Sequence, residues 1–238
     1  MFKYKILVLF LSVALLVGCT LPGNIITGSG NVVTQEEAIS GFDKVEVSHT
    51  FNVDISQGET FSVVVRIDDN LLQYLQVVKQ GSTLKIGLKT DRISRDSTLE
   101  AEVILPELTG LNLSGASHAN ITGFKSTKDI SFDLSAASTL RGDIEVGDIS
   151  IGLSDSSSIT LTGSGQDLTI DAKGSSQLDL ADLPVVNASV SLSDASTATV
   201  NASGTLDVDA SDASEVYYLG DPTLGEIDTS SESSVEPK

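Results

Sequence analysis

From Leu111 to Tyr218 apolar and polar residues alternate with a period of two, and the alternation breaks every 18 to 21 residues at a phrase of the form Ser-x-small-Ser. The phrase begins at Ser114, Ser135, Ser154, Lys173, Ser193 and Ser211. Period-two alternation predicts strands with one face buried, and self-similarity at a fixed spacing near twenty residues predicts a solenoid. Aligned on the first residue of each phrase, the columns separate. Leu111, Phe132, Ile151, Ile170, Val190 and Val208 stand three before it, and Leu113, Leu134, Leu153, Ala172, Leu192 and Ala210 one before it. Ala119, Leu140, Ile159, Leu178, Ala198 and Val216 stand five after it; Ile121, Gly142, Leu161, Leu180, Val200 and Tyr218 stand seven after it. Each repeat therefore reads as strand, sharp corner, strand, with both strands facing one interior.

Stacked coils of this length predict an all-β chain: a parallel β-helix (β-solenoid) of about 19–20 residues per coil, each coil bonding to the coils above and below. Six regular coils at a rung spacing of ~4.8 Å give a rod of roughly 25 to 30 Å. In the corner, Ala116, Ala137, Ser156, Ser175, Ala195 and Ala213 form a small-residue column, read as pointing inward at a tight bend. Ser117, Ser138, Ser157, Ser176, Ser196 and Ser214 follow in every copy. Without an accompanying base they read as a structural ladder, bonded to one another and to local backbone.

Before residue 111 the alternation is less regular. Val45 and Val47, then Val53 and Ile55, repeat the frame weakly around Ser48, and Gly58 closes a turn before Phe61, Val63, Val65 and Ile67. Asp69 to Leu75 has the spacing of a short helical turn with Asn70 as its cap, Asp91 to Ser97 reads as a polar loop, and Pro106 ends the alternation. The frame leaves open whether this half joins the same stack. Gly28-Ser-Gly-Asn31 lacks the preceding strand and following Lys of a phosphate loop and reads as a flexible or turn-forming entry. The expected organisation is a signal peptide (1–18), a lipidated Cys with a flexible tether (19–41), irregular β coils (42–110), regular coils (111–222) and a disordered acidic tail (223–238), with Tyr217 and Tyr218 covering the last rung.

The chain of 238 residues carries 33 acids against 14 Lys and Arg, a net charge of −19, which disfavours nucleic acid and anionic head groups as partners. Lys3 and Lys5, the apolar run Ile6 to Val17 and Leu16-Val-Gly-Cys19 form a leader that resembles the lipobox of bacterial lipoproteins. That resemblance implies acylation of Cys19 and a membrane anchor in an extracytoplasmic location. Thr20, not Asp, follows the Cys, which implies the outer membrane where a cell has two. Cys19 is the single cysteine, so no disulfide within the chain is possible.

Chemistry is sparse. Asp194 and Asp212 fall on consecutive coils and are the candidates for a shared hard cation, although the Gly-Gly-x-Gly-x-Asp signature of calcium-binding solenoids is missing. A second outward column, Asn112, Asp133, Gly152, Asp171, Ser191 and Asp209, alternates acids with neutral residues and reads as spacing of like charge. Many β-helices cleave acidic polysaccharides, but the six coils offer only Lys125, Lys128, Arg141 and Lys173 as cations, and no Trp to stack sugars. No cofactor is implied.

Gly28-Ser-Gly-Asn31 after a lipobox, Phe42 with alternation up to Gly58, and Leu105-Pro-Glu-Leu108 leading into Leu111-Asn-Leu-Ser-Gly-Ala-Ser117 together resemble the bacterial family described as putative auto-transporter adhesin, head GIN domain. The resemblance spans about residues 28 to 222 and implies a secreted or surface-anchored β-helix with a role in adhesion. The expectation is a lipid-anchored, non-catalytic binding or adhesion module with a glycan or surface protein as partner. A polysaccharide-active enzyme and a purely structural envelope protein are the alternatives.

Overall fold

A computed structural model describes residues 25–92 and 96–238. The leader with Lys3, Lys5 and Cys19, as well as Thr20 and Arg95, lies outside the described residues. The N-terminal part contains β1 (Val32–Glu36), β2 (Lys44–Val47), β3 (Asn52–Gln57), β4 (Ser62–Asp68), a 3-10 helix (Asp69–Tyr74), β5 (Leu75–Gln80), β6 (Thr83–Leu88) and β7 (Leu99–Leu105). The regular part alternates between two sheets. The first sheet takes β8 (Gly110–Leu113), β10 (Ile130–Leu134), β12 (Ile149–Leu153), β14 (Asp167–Ala172), β16 (Asn187–Leu192), β18 (Thr205–Ala210) and β20 (Thr223–Thr229). The second takes β9 (His118–Lys125), β11 (Thr139–Glu145), β13 (Ser158–Ser164), β15 (Gln177–Val185), β17 (Thr197–Ala202), β19 (Glu215–Leu219) and β21 (Ser234–Pro237). The result is a parallel β-solenoid of about seven turns.

Register matches the columns read from the sequence. Phe132 pairs with Leu111 on one rung and Ile151 on the next, and the row continues through Ile170, Val190 and Val208. Across the interior, Ala119, Leu140, Ile159, Leu178, Ala198 and Val216 form the facing row. Every residue of both rows is buried. Burying a large aliphatic side chain contributes roughly 1.5–3 kcal/mol relative to leaving it exposed, so the two rows are the principal apolar reason the coils stack.

The corner differs in one respect from its expected form. The second and third residues of each phrase both have positive φ, for example 55° and 61° at Ala136 and Ala137, 55° and 62° at Asp155 and Ser156, and 56° and 59° at Asp194 and Ala195. Two successive left-handed residues give the φ signature of a type I′ turn. The small-residue column therefore does not point inward: Ala137, Ser156, Ser175, Ala195 and Ala213 are exposed. It is small because left-handed backbone crowds Cβ against the following carbonyl, and branching or bulk worsens that contact.

The fourth residue is the inward one. Ser117, Ser138, Ser157, Ser176, Ser196 and Ser214 are all 0–1% exposed. Their hydroxyls bond to backbone and not to one another: Ser117, Ser138, Ser157 and Ser176 Oγ each donate to the carbonyl three residues earlier at 2.7 Å. Ser196 Oγ accepts the Ser176 amide at 3.2 Å, and Ser214 Oγ accepts the Ser196 amide at 3.3 Å. Small polar groups at this point satisfy backbone that the turn removes from the regular ladder.

Two further copies of the corner exist. Ser48-His-Thr-Phe51 has φ of 65° and 60° at its central residues, and Thr50 donates its amide to the Gly115 carbonyl at 2.9 Å. Phe51, fully buried, occupies the place of the ladder serine. The N-terminal half therefore belongs to the same stack, but out of chain order: β2 and β3 lie between the β6–β7 coil and the β8–β9 coil. Beyond β6 and β7, β5 and β4 run antiparallel and end the stack, and β1 pairs antiparallel with β4 outside them. Reversing the last strands covers the parallel edge that the core would otherwise present.

At the other end, residues 223–238 do not form the disordered tail that their composition suggests. Ser230-Ser-Glu-Ser233 is another corner, with φ of 52° and 66° at Ser231 and Glu232, and the Ser233 hydroxyl accepts the Ser214 amide at 3.0 Å. β20 and β21 pair in register with β18 and β19, so Tyr217 and Tyr218 cover no terminal rung. This coil is polar because it packs on one side only. It also breaks the spacing of acids, since Asp209 pairs directly with Asp228.

The expected flexible tether is also partly folded. Asp68, 1% exposed, accepts the amides of Gly30 at 2.7 Å and Thr98 at 2.8 Å. Asn70 does not cap the 3-10 helix, which has no side-chain cap bond. Its amide group instead donates to the Thr27 carbonyl at 2.9 Å and its oxygen accepts the Ser29 amide at 3.1 Å. Gly28-Ser-Gly-Asn31 is thus a clasp, with no role for phosphate needed to explain its residues.

Candidate functional site

Asp194 and Asp212 stand on adjacent rungs, linked through backbone where Ala195 donates its amide to the Asp212 carbonyl at 2.8 Å. Both are exposed and both have φ of 56°. Asp is one of the few residues that tolerates left-handed backbone, so the turn alone accounts for its presence. Among the described residues, no group of three or more His, Cys, Asp or Glu is placed to hold a metal ion.

A second aspartate ladder, missed in the sequence, lines the opposite corner. Asp129 Oδ1 accepts the Asp148 amide at 3.0 Å, Asp148 Oδ1 accepts the Asp167 amide at 3.2 Å, and Asp167 Oδ1 accepts from Asn187 Nδ2 at 2.9 Å. Asn187 Oδ1 then accepts the Thr205 amide at 3.0 Å. Its signal was an Asp or Asn before an apolar residue at spacings of 19, 19 and 20, a pattern hidden by the charge-rich surroundings. These side chains are engaged by backbone amides and, at Asp167, by the Asn187 side chain, and leave little to a ligand.

The outer face of the first sheet is different. A groove of about 680 Å³ runs along it, bordered by Asn112, Asp133, Ser150, Gly152, Asp171 and Lys173. The strand register brings Asp133, Gly152 and Asp171 onto successive rungs. The absent side chain at Gly152 opens the floor, and the Asp133 carboxylate leans over it, 2.9 Å from where a Cβ would stand. Hydroxyls, an amide, the three carboxylates of Glu46, Asp133 and Asp171 and one ammonium make this a surface for a polyhydroxylated or cationic ligand.

A third constellation lies at the Ser48 corner, outside the six ladder serines, where His49 follows the serine directly. Ser48 Oγ is 2.6 Å from His49 Nδ1, and His49 Nε2 is 2.9 Å from Asp91 Oδ1. The Leu88 amide also reaches His49 Nδ1 at 3.3 Å. These groups border a cavity of about 400 Å³ together with Thr50, Thr90, Ser114 and Gly115. Left-handed backbone at a non-glycine residue costs about 1–2 kcal/mol, and His49 holds it where the other copies use Gly, Ala, Asp or Ser.

Among the described residues, three surface groups are perturbed by their neighbours. Hydrogen bonds from Ser29 and Asn31 hold the Asp69 carboxyl below the usual carboxylate range. Glu145 raises the Lys125 ammonium, and Glu215 raises the Tyr217 phenol.

The family model described as putative auto-transporter adhesin, head GIN domain, matches residues 41–222. Among solved structures, the chain is similar to a putative adhesin from Bacteroides fragilis (TM-score 0.81, 17% identity, 90% of this chain and 100% of that one). It is also similar to a putative lipid binding protein from Parabacteroides distasonis (TM-score 0.73, 20% identity, 90% and 99% covered). A putative adhesin from Parabacteroides merdae is similar at TM-score 0.68 and 14% identity, with 91% and 100% covered. At these identities the likeness is one of fold. No curated protein matches the chain.

Proposed function

Because the chain belongs to the putative auto-transporter adhesin, head GIN domain family, we propose that it is a surface adhesion module, anchored through an acylated Cys19, that binds an extended ligand along the groove of its first sheet. The observation that carries this reading is the groove itself: four successive rungs, with the polar side chains of Asn112, Asp133 and Asp171 around the gap at Gly152, held in register by the sheet beneath. A repeat spacing of ~4.8 Å suits a ligand that is itself periodic, and the acids favour a neutral glycan or a basic protein segment over an anionic polymer. Adhesion of this kind requires no turnover. Family membership supports an extracellular or surface location, and the Cys19 lipobox adds the means of staying there.

A glycan and surface-protein array probed with the mature chain, alongside Asp133→Ala/Asp171→Ala, tests the groove. Binding by the wild type that the double variant loses supports it; release of product from acidic polysaccharides would replace it with the enzyme alternative. Silence in both assays would leave a structural envelope protein. Metabolic labelling with a palmitate analogue should mark the wild type and spare Cys19→Ala, and equal labelling of the two would remove the anchor.

A further inference from the structure

We propose that the Ser48 corner is a nucleophilic site that hydrolyses short-chain carboxylic esters, an activity that goes beyond adhesion and does not depend on it. The geometry assigns the roles. The Leu88 amide donates to His49 Nδ1 at 3.3 Å, so this nitrogen bears no proton and the ring hydrogen sits on Nε2, directed at Asp91 Oδ1 2.9 Å away. The lone pair on Nδ1 is then the acceptor for the Ser48 hydroxyl at 2.6 Å. A hydroxyl, an imidazole that takes its proton and a carboxylate that orients the imidazole form the arrangement that activates serine for acyl transfer, recognised by role and not by sequence order.

The surrounding rungs are cleared for it. A Cβ at Gly87 would lie 2.4 Å from Ser48 Oγ and 3.1 Å from His49 Nδ1, and a Cβ at Gly115 would lie 3.0 Å from the His49 amide nitrogen. Glycine on both sides leaves the hydroxyl and the ring free to fold over the sheet. The cavity of about 400 Å³ admits an acyl chain of a few carbons beside Leu88 and Thr90.

In the reaction, Ser48 Oγ bonds to the ester carbonyl carbon while its proton passes to His49 Nδ1, and Asp91 steadies the imidazolium. The His49 amide makes no protein hydrogen bond among the described residues and is available to the developing oxyanion. Collapse breaks the ester C–O bond, and the proton on Nδ1 goes to the leaving alcohol. Water then attacks the acyl-serine by the same proton path, releasing the acid and restoring Ser48.

The test uses the mature chain with p-nitrophenyl acetate and a fluorophosphonate probe. The wild type should turn over the ester with saturating kinetics and be labelled on the peptide containing Ser48, and Ser48→Ala should lose both. His49→Asn keeps a residue that accepts positive φ and should lower kcat by ~100-fold or more, with its melting curve and the array binding of Ser48→Ala unchanged. A folded wild type that neither labels nor turns over, or a Ser48→Ala variant as active as the wild type, overturns the proposal.

Discussion

Asp68 holds Gly30: one oxygen of the buried carboxylate accepts the Gly30 amide at 2.7 Å while the other accepts the Thr98 amide at 2.8 Å. A Cβ at Gly28 would lie 2.2 Å from the same carboxylate, so the glycine-rich entry is shaped around it. Asp68→Ala takes the charged acceptor away from the amides of Gly30, which is exposed, and Thr98, which is half-buried, and a hydrogen bond to a charged group contributes roughly 1.5–3 kcal/mol. The variant should lose about 3 kcal/mol by denaturant unfolding, and hydrogen exchange should accelerate first in residues 28–36. Protection there equal to the wild type would show that β1 is held by its strand pairing alone.

The clasp has an acid limit. Ser29 and Asn31 donate to Asp69 at 2.6 and 2.7 Å and hold its carboxyl below the usual range. With the folded value below the unfolded one of ~3.9, its stabilisation is complete above that pH and is lost as pH falls through the folded value. NMR titration of Asp69 should give a midpoint below that of a peptide aspartate, and Asn31→Ala should move it upward. A midpoint unaffected by that substitution would mean that the hydrogen bond is not the cause.

The serine ladder predicts unequal effects for one substitution. Ser117→Ala removes a hydroxyl that donates to its own corner and should cost about 1 kcal/mol, whereas Ser196→Ala also strips the acceptor from the buried Ser176 amide and should cost about 2 kcal/mol. Equal losses by chemical denaturation would show that the 3.2 Å contact from Ser176 contributes little.

The left-handed corners predict opposite signs. Ala137, at φ 61°, should gain about 0.5 kcal/mol as Gly and lose about 1 kcal/mol as Val. The same reasoning makes Asp194 and Asp212 turn residues: replacing both with Gly should leave the melting temperature at or above that of the wild type, and calcium should shift neither. A calcium-dependent rise in the wild type that the double variant loses would restore the cation reading.

The regular coils were legible because their core rows are apolar at a fixed spacing, and that pattern survives even where Ala172 or Ala198 replaces a larger residue. Three parts were not. Ser230-Ser-Glu-Ser233 has Glu232 in the small column and Thr229 where the others have Leu or Ala, substitutions that a coil packed on one side tolerates. Ser48-His-Thr-Phe51 replaces the ladder serine with a buried aromatic, and its imidazole contacts depend on Asp91, 42 residues away. The stack order of β2 and β3 follows from pairing between distant strands, which no local pattern encodes. The groove is half visible in the sequence: the column of Asn112, Asp133, Gly152 and Asp171 shows the spacing of its acids, but not the gap that Gly152 opens between neighbouring rungs.

The solenoid is closed by reversed strands at one end and left as a plain rung at the other. Between them, the 19-residue unit from Ser154 to Ala172 could be copied or removed without disturbing either terminus. Each duplication would carry the distal rung ~4.8 Å farther from the capped end. Reach is thus a quantity that such a lineage can adjust by whole steps, the way a ruler gains divisions, while the reversed strands of the capped end stay as they are.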